Sequence, residues 1–100
     1  MQHGLDHDEE RPDIHNTLGV CYFKTKQHAE AVTHFRRAVA LNPVSAIDYA
    51  NLALNLEILG ANQEAIAQYQ VALSLDSSIA FAVERLAGLL TREETEGGLA

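Results

Sequence analysis

One cysteine and five histidines are the residues of this chain best suited to chemistry. A nucleophilic cysteine needs a nearby base and an electropositive, partly exposed setting. Cys21 stands among apolar residues, and His15, six positions earlier, lies off the same helical face. We therefore predict that Cys21 is a small buried residue and that it does not act as a nucleophile.

The start of the chain carries side chains of types that bind metals, namely His3, Asp6, His7 and Asp8. His3 and His7 would share a face if the segment were helical, but the segment has no apolar anchor to order it. We expect an acidic disordered tail over residues 1–11 and no metal site. His28 and His34 do not face each other at their spacing, so we predict that both lie on the surface.

Sequence motifs of enzymes are missing as well. The chain contains no glycine-rich phosphate loop, G-x-S-x-G, H-E-x-x-H or C-x-x-C. No residue therefore supports a catalytic function, and we predict a non-enzymatic protein without a cofactor.

The structural elements that would position any functional site occur as repeats along the chain. At a lag of 34 residues, seven columns keep their residue class, from Leu18, Leu52 and Leu86 to Ala31 with Ala65 and Phe35 with Tyr69. Such a period predicts stacked copies of one supersecondary unit, each too small to bury its apolar face alone. Stacking of this kind favours a binding scaffold.

The repeated unit resembles the tetratricopeptide repeat, whose pattern is W-x2-L-G-x2-Y, A-x3-F and P. The first copy has His15, Leu18, Gly19, Tyr22, Ala31, Phe35 and Pro43 in these places, and the second has Tyr49, Leu52, Ala53, Leu56, Ala65, Tyr69 and Ser77. The resemblance implies an all-α, right-handed solenoid of antiparallel helix hairpins with five helices. Its domain would cover residues 12–92, as repeats 12–45 and 46–79 and a half repeat 80–92, followed by an acidic flexible tail over 93–100.

Local signals place the helices. We predict that the first helix begins near Asp13 and that the other four run near residues 28–41, 45–59, 62–75 and 78–91. Gly60 should end the third helix in the left-handed conformation, and Asn62 should cap the fourth.

Composition narrows the classes of partner. The 100 residues are 47% apolar with a net charge of −7, and the excess of negative charge lies mainly in the two terminal stretches. This acidic balance argues against a nucleic acid as the partner, because proteins that bind nucleic acids carry a basic stripe. No apolar run is long enough to span a membrane. The first residues do not form a secretory signal, and a single cysteine allows no internal disulfide, so a cytoplasmic location is the default.

The resemblance implies a protein or peptide partner, held in a concave groove lined by the first helix of each repeat. The lining residues would be Asn16, Val20, Phe23, Lys24, Ile47, Ala50, Leu54, Glu57, Ile58, Phe81 and Glu84, with Asp13 and Gly88 in equivalent positions. One subgroup of the family grips the C-terminal carboxylates of chaperones with Lys, Asn and Arg. The matching residues here are Asn16, Val20, Leu54, Glu84 and Gly88, so we do not expect this clamp. The mostly apolar strip instead favours an apolar peptide or an amphipathic helix.

An alternative function follows from the last helix. Val83, Leu86 and Leu90 would face a partner helix that this chain does not contain. A terminal repeat usually presents a polar outer face. The chain is therefore either part of a longer array or a self-associating structural module, with a homodimer as the simplest closed form.

Overall fold

The computed structural model describes residues 12–99, with side chains for 13–92. The acidic tail and the metal-type residues from His3 to Asp8 lie outside these residues. The described part forms five helices and no strands, and consecutive helices pack against one another. The predicted all-α solenoid of helix hairpins is confirmed. The helices are α1 (Pro12–Lys24), α2 (His28–Leu41), α3 (Ala46–Ile58), α4 (Asn62–Leu75) and α5 (Ala80–Leu99).

Most helix boundaries agree with the sequence signals, whereas one cap and one boundary differ from the predictions. α2 and α4 begin and end where we predict. α4 is capped by Ala61, because Asn62 already belongs to the helix, so the prediction that Asn62 is the cap was wrong. α5 continues to Leu99, beyond the end that we predict near Thr91.

The turns inside the two hairpins share one conformation. Gly60 has φ +91°, as predicted, and Lys26, at the equivalent place in the first hairpin, has φ +63°. The Gln27 amide donates to the Tyr22 carbonyl at 2.8 Å, and the Ala61 amide donates to the Leu56 carbonyl at 2.9 Å. In both turns a left-handed residue and a hydrogen bond back into the helix satisfy carbonyls that the helix end leaves free.

The core is built from the repeated columns. Ala31, Ala65 and Tyr69 are fully buried, and Phe35 is 1% exposed. Gly19 lets α1 approach α2 closely, because a Cβ there would lie 2.7 Å from the Phe35 ring. Small residues on one helix thus accommodate the rings of the next, which is the close packing that protein interiors require.

Residues of the repeated columns are less buried in the first and last helices of the array than in α3. Leu52 and Ala53 in α3 are buried, whereas Leu18 in α1 is 37% exposed and Leu90 in α5 is 43% exposed. Within the described residues, α1 and α5 lack a neighbouring hairpin on one side. Cys21 is exposed for the same reason, so the prediction that it is buried was wrong.

A pair of histidines joins α1 to α2. The Nδ1 atoms of His15 and His34 lie 3.1 Å apart, and the Tyr22 ring stacks on His34 with a centroid distance of 5.4 Å. His34 and His28 are both half-buried, so the prediction that they lie on the surface was wrong. An Nδ1–Nδ1 hydrogen bond requires one ring to accept through an unprotonated nitrogen. At least one of the two rings is therefore neutral while the bond exists.

This pair makes stability depend on pH. Burial, and secondarily the nearby His15, lower the pKa of His34. Because the folded-state pKa lies below the unfolded value of about 6.5, the contribution of His34 to stability is present above pH 6.5 and is lost as the pH falls from there through the folded-state pKa. We expect the urea midpoint to fall between pH 7.5 and 5.5, and the His34→Gln variant to show a smaller fall. An equal fall in both proteins would assign the effect to other groups.

Candidate binding groove

The centre of the predicted groove lies on α3. Ile47, Leu54 and Ile58 share one helical face because they are spaced seven and four residues apart. Ile47 and Ile58 are each 46% exposed, and Leu54 is half-buried. Ala50, on the same face, is fully buried. The expectation that Ala50 lines the groove was therefore wrong, since its methyl group is covered by neighbouring side chains.

The α1 side of the groove is partly occupied by contacts within the chain. Val20 and Phe23 are partly buried against the core, and Lys24 is exposed. The Asn16 amide donates a hydrogen bond to the Asp48 carboxylate, which is only 4% exposed. Asn16 therefore helps to join α1 to α3, a role that the repeat pattern did not indicate. Asp48 lies in the first turn of α3, where the helix dipole favours a negative charge.

A second buried polar contact lies at the opposite end of α3. Asn55 is 1% exposed, and its Oδ1 atom lies 2.8 Å from the Nδ1 atom of His28. The Asn55 amide also donates to the Asn51 carbonyl at 2.8 Å. His28 makes an edge contact with the Phe23 ring. These bonds satisfy the buried amide and fix the hairpin turn of the first repeat against α3.

Glu57 joins three helices at the α5 side of the groove. The Tyr69 hydroxyl of α4 donates to its Oε1 atom at 2.9 Å, and the Arg85 Nε atom of α5 donates to the same oxygen at 2.9 Å. Burial, followed by the hydrogen bond to Glu57, raises the pKa of Tyr69, so the phenol remains a donor. Periodicity could not reveal the contact of Glu57 with Arg85, because the residues one period earlier are Phe23 and Asn51, which cannot form an ion pair.

A cavity of about 250 Å³ lies beside this contact. Two predicted groove residues, Glu57 and Glu84, line it, together with Gly88 and three residues that the groove prediction omitted: Arg85, Leu89 and Arg92. Phe81, one turn before Glu84 on α5, is partly buried against the core. The groove face is thus apolar on α3 and mixed in charge where α3 meets α5.

No group of three or more histidine, cysteine, aspartate or glutamate side chains among the described residues could hold a metal ion. Within the same residues, no helix combines the length and apolar character needed to cross a membrane. The described surfaces offer apolar contacts and a few charges, which suit a partner molecule.

Comparison with curated proteins gives one relative with a much longer chain. Over 73 residues, this chain is 33% identical to a protein O-mannosyl-transferase of Caenorhabditis elegans. The match covers 73% of this chain and spans 11% of that enzyme.

Solved structures of the same architecture are also similar. The first tetratricopeptide repeat domain of Spaghetti (RPAP3), bound to the HSP90 peptide SRMEEVD, gives a TM-score of 0.83 at 25% identity, with 93% of this chain and 74% of that chain covered. Two structures of MamA give TM-scores of 0.83 and 0.80 at 22% and 24% identity. They cover 93% and 87% of this chain and 54% and 48% of their own, and at this identity they show the fold alone.

Family models complete the comparison. One tetratricopeptide repeat model matches residues 12–43, which hold the first hairpin. A second matches residues 29–78, from the start of α2 to just beyond α4. Since the second match takes in half of the sequence and the fold has the same hairpins, the chain belongs to the tetratricopeptide repeat family.

Proposed function

We propose that this domain binds an apolar peptide or an amphipathic helix along the face formed by α1, α3 and α5. As a tetratricopeptide repeat domain, the chain is a protein-interaction module. The observation that carries the finer proposal is the exposed apolar face of α3, where Ile47 and Ile58 each keep 46% of their surface in solvent. Leu54 lies between them on that face, and Val20 is the predicted groove residue at the equivalent position of α1. An amphipathic helix covers such a strip with residues spaced three and four apart.

Similarity to the Spaghetti domain supports a peptide as the ligand, because that domain holds one. We do not propose that this chain binds the same HSP90 peptide. Glu84 is exposed in the part of the face where a carboxylate would have to approach, and like charges repel. The apolar strip therefore favours contacts through apolar side chains over capture of a carboxylate.

Selection from a library of random dodecapeptides displayed on phage tests this proposal. We expect the selected peptides to carry apolar residues at helical spacing, and Leu54→Glu to weaken their binding at least tenfold, because the variant places a charge in the apolar strip. Ala67→Glu on the exposed face of α4 is the matched control and should leave binding unchanged. If no peptide is selected, or if both variants bind equally well, groove binding is wrong.

A second candidate function is self-association through α5. Val83 and Leu90 are 46% and 43% exposed, and they share a face with the partly buried Leu86. Among the described residues, no further helix follows α5 to cover this face. A second copy could cover it, because a two-fold interface places the same patch on both subunits.

Sedimentation tests the second candidate. We expect a dimer at tens of micromolar, roughly where weak protein interfaces associate, and a monomer for the Val83→Glu/Leu90→Lys variant. Circular dichroism of the variant should show unchanged helix content, since both side chains point partly into solvent. A wild-type domain that is monomeric at this concentration would exclude self-association.

A further inference from the structure

Among the three glycines between residues 13 and 92, Gly88 is the one for which the fold gives no reason. Gly19 is required by the Phe35 ring, and Gly60 is required by its positive φ. Gly88 lies inside α5, has an ordinary helical φ, and a Cβ added there would meet no atom within 4 Å. A glycine inside a helix weakens it relative to alanine. The chain itself therefore gains nothing from this residue.

The position of Gly88 suggests an intermolecular reason. In the 34-residue register, Gly88 is equivalent to Val20 and Leu54, the apolar residues of the groove strip. The third copy thus lacks the side chain that the other two present. The cavity of about 250 Å³ has Gly88 and the buried Leu89 among its lining residues. The strip therefore ends in a notch, which is lined by Gly88, Leu89, Arg85 and Arg92 together with the acidic residues Glu57 and Glu84.

The size and lining of the notch limit what it can hold. Pockets for small molecules usually measure about 300–1,000 Å³, so this volume suits a single side chain better than a whole ligand. Arg85 is already engaged by Glu57, whereas Arg92 is exposed and makes no ion pair with another described side chain. The exposed Arg92 guanidinium beside the apolar Leu89 favours an aromatic ring, which can pack on Leu89 and lie against the cation.

We propose that the notch at Gly88 receives one aromatic side chain of the segment bound in the groove. This inference rests on the proposed peptide-binding function and specifies its chemistry. The glycine keeps the notch open, Leu89 supplies its apolar floor, and Arg92 gives the preference for an aromatic over an aliphatic side chain.

Titration with capped amino acids tests the notch without a peptide. N-acetyltryptophanamide is added to the 15N-labelled domain and compared with N-acetylleucinamide, while the amide signals of α5 are followed by NMR. We expect saturable shifts at Gly88 and Leu89, with the tryptophan probe about two- to five-fold tighter than the leucine probe, the factor typical of an exposed cation–π contact. In Arg92→Gln this preference should disappear.

Filling the notch provides the decisive variant. Gly88→Leu gives position 88 the apolar residue type that Val20 and Leu54 have in the same column. We expect the melting temperature of this variant to rise by a few degrees, because the glycine weakens the helix. The probe-induced shifts should vanish, because the leucine side chain fills the notch. Ala87→Leu adds the same side chain to an exposed neighbouring position and should leave the shifts unchanged. Shifts that persist in Gly88→Leu, a tryptophan preference that survives Arg92→Gln, or a fall in melting temperature for Gly88→Leu would each overturn the proposal.

The two proposals can fail separately. If library peptides bind and depend on Leu54, but the capped amino acids do not shift the signals of Gly88, the groove stands and the notch is wrong. If no library peptide binds, the proposal of peptide binding in the groove is wrong, whatever the capped amino acids show.

Discussion

Replacing Tyr69 by alanine should unfold most of the domain at moderate urea concentrations. Tyr69 is fully buried and is the largest such side chain in the described core. Truncating a buried aromatic residue costs about 3–5 kcal/mol, because transfer energy is lost and a cavity remains. A domain of this size is stable by only roughly 4–12 kcal/mol. Urea unfolding followed by circular dichroism measures the loss.

Tyr69→Phe separates the ring from its hydroxyl. The phenylalanine keeps the packing, and Glu57 keeps its bond to Arg85. We therefore expect a loss of only about 0.5–1.5 kcal/mol, the net contribution of one hydrogen bond. Comparable losses for the alanine and phenylalanine variants would mean that the polar contact, and not the packing of the ring, holds α4 in place.

Enlarging Ala53 to leucine should destabilise the domain by about 1–3 kcal/mol. Ala53 is fully buried in α3 and belongs to the same column as Gly19, where α1 and α2 are in close contact. Extra methylene groups in a filled core force side chains off their rotamers or move the backbone. The shift of the urea midpoint, at an unchanged slope, measures this cost.

The control for Ala53→Leu must be an alanine with open space around it. Ala61 lies in the turn after Gly60, but it packs partly against the core. Ala67, exposed on α4, is the better choice, and Ala67→Leu should change stability by no more than about 0.5 kcal/mol. Equal midpoint shifts at positions 53 and 67 would show that close packing does not limit the size of residue 53.

The repeat period predicts the interior of the array well and its ends poorly. Ala31, Phe35, Ala65 and Tyr69 are buried as their columns require. Leu90 has the residue type of its column but not its environment, because burial in a solenoid depends on neighbouring helices as well as on residue type. Periodicity reports the shared pattern of the copies and cannot report which side of a given copy is covered.

The polar contacts between helices could not be predicted from the period either. His15 with His34, Asn16 with Asp48 and Glu57 with Arg85 each occur in one place only. A column of equivalent residues reveals what the copies share, whereas these bonds depend on what differs between them. The candidate groove shows the same limit, since Ala50 has the expected position but no exposed surface.

The two hairpin turns indicate the order in which the array assembles. Lys26 and Gly60 adopt the same left-handed backbone at equivalent positions, although only glycine does so without steric cost. The helix packing of the first hairpin therefore imposes on Lys26 a conformation that costs roughly 1–2 kcal/mol. The second hairpin closes its turn without this cost. We expect α3 and α4 to form the nucleus of folding, onto which α1, α2 and α5 then add.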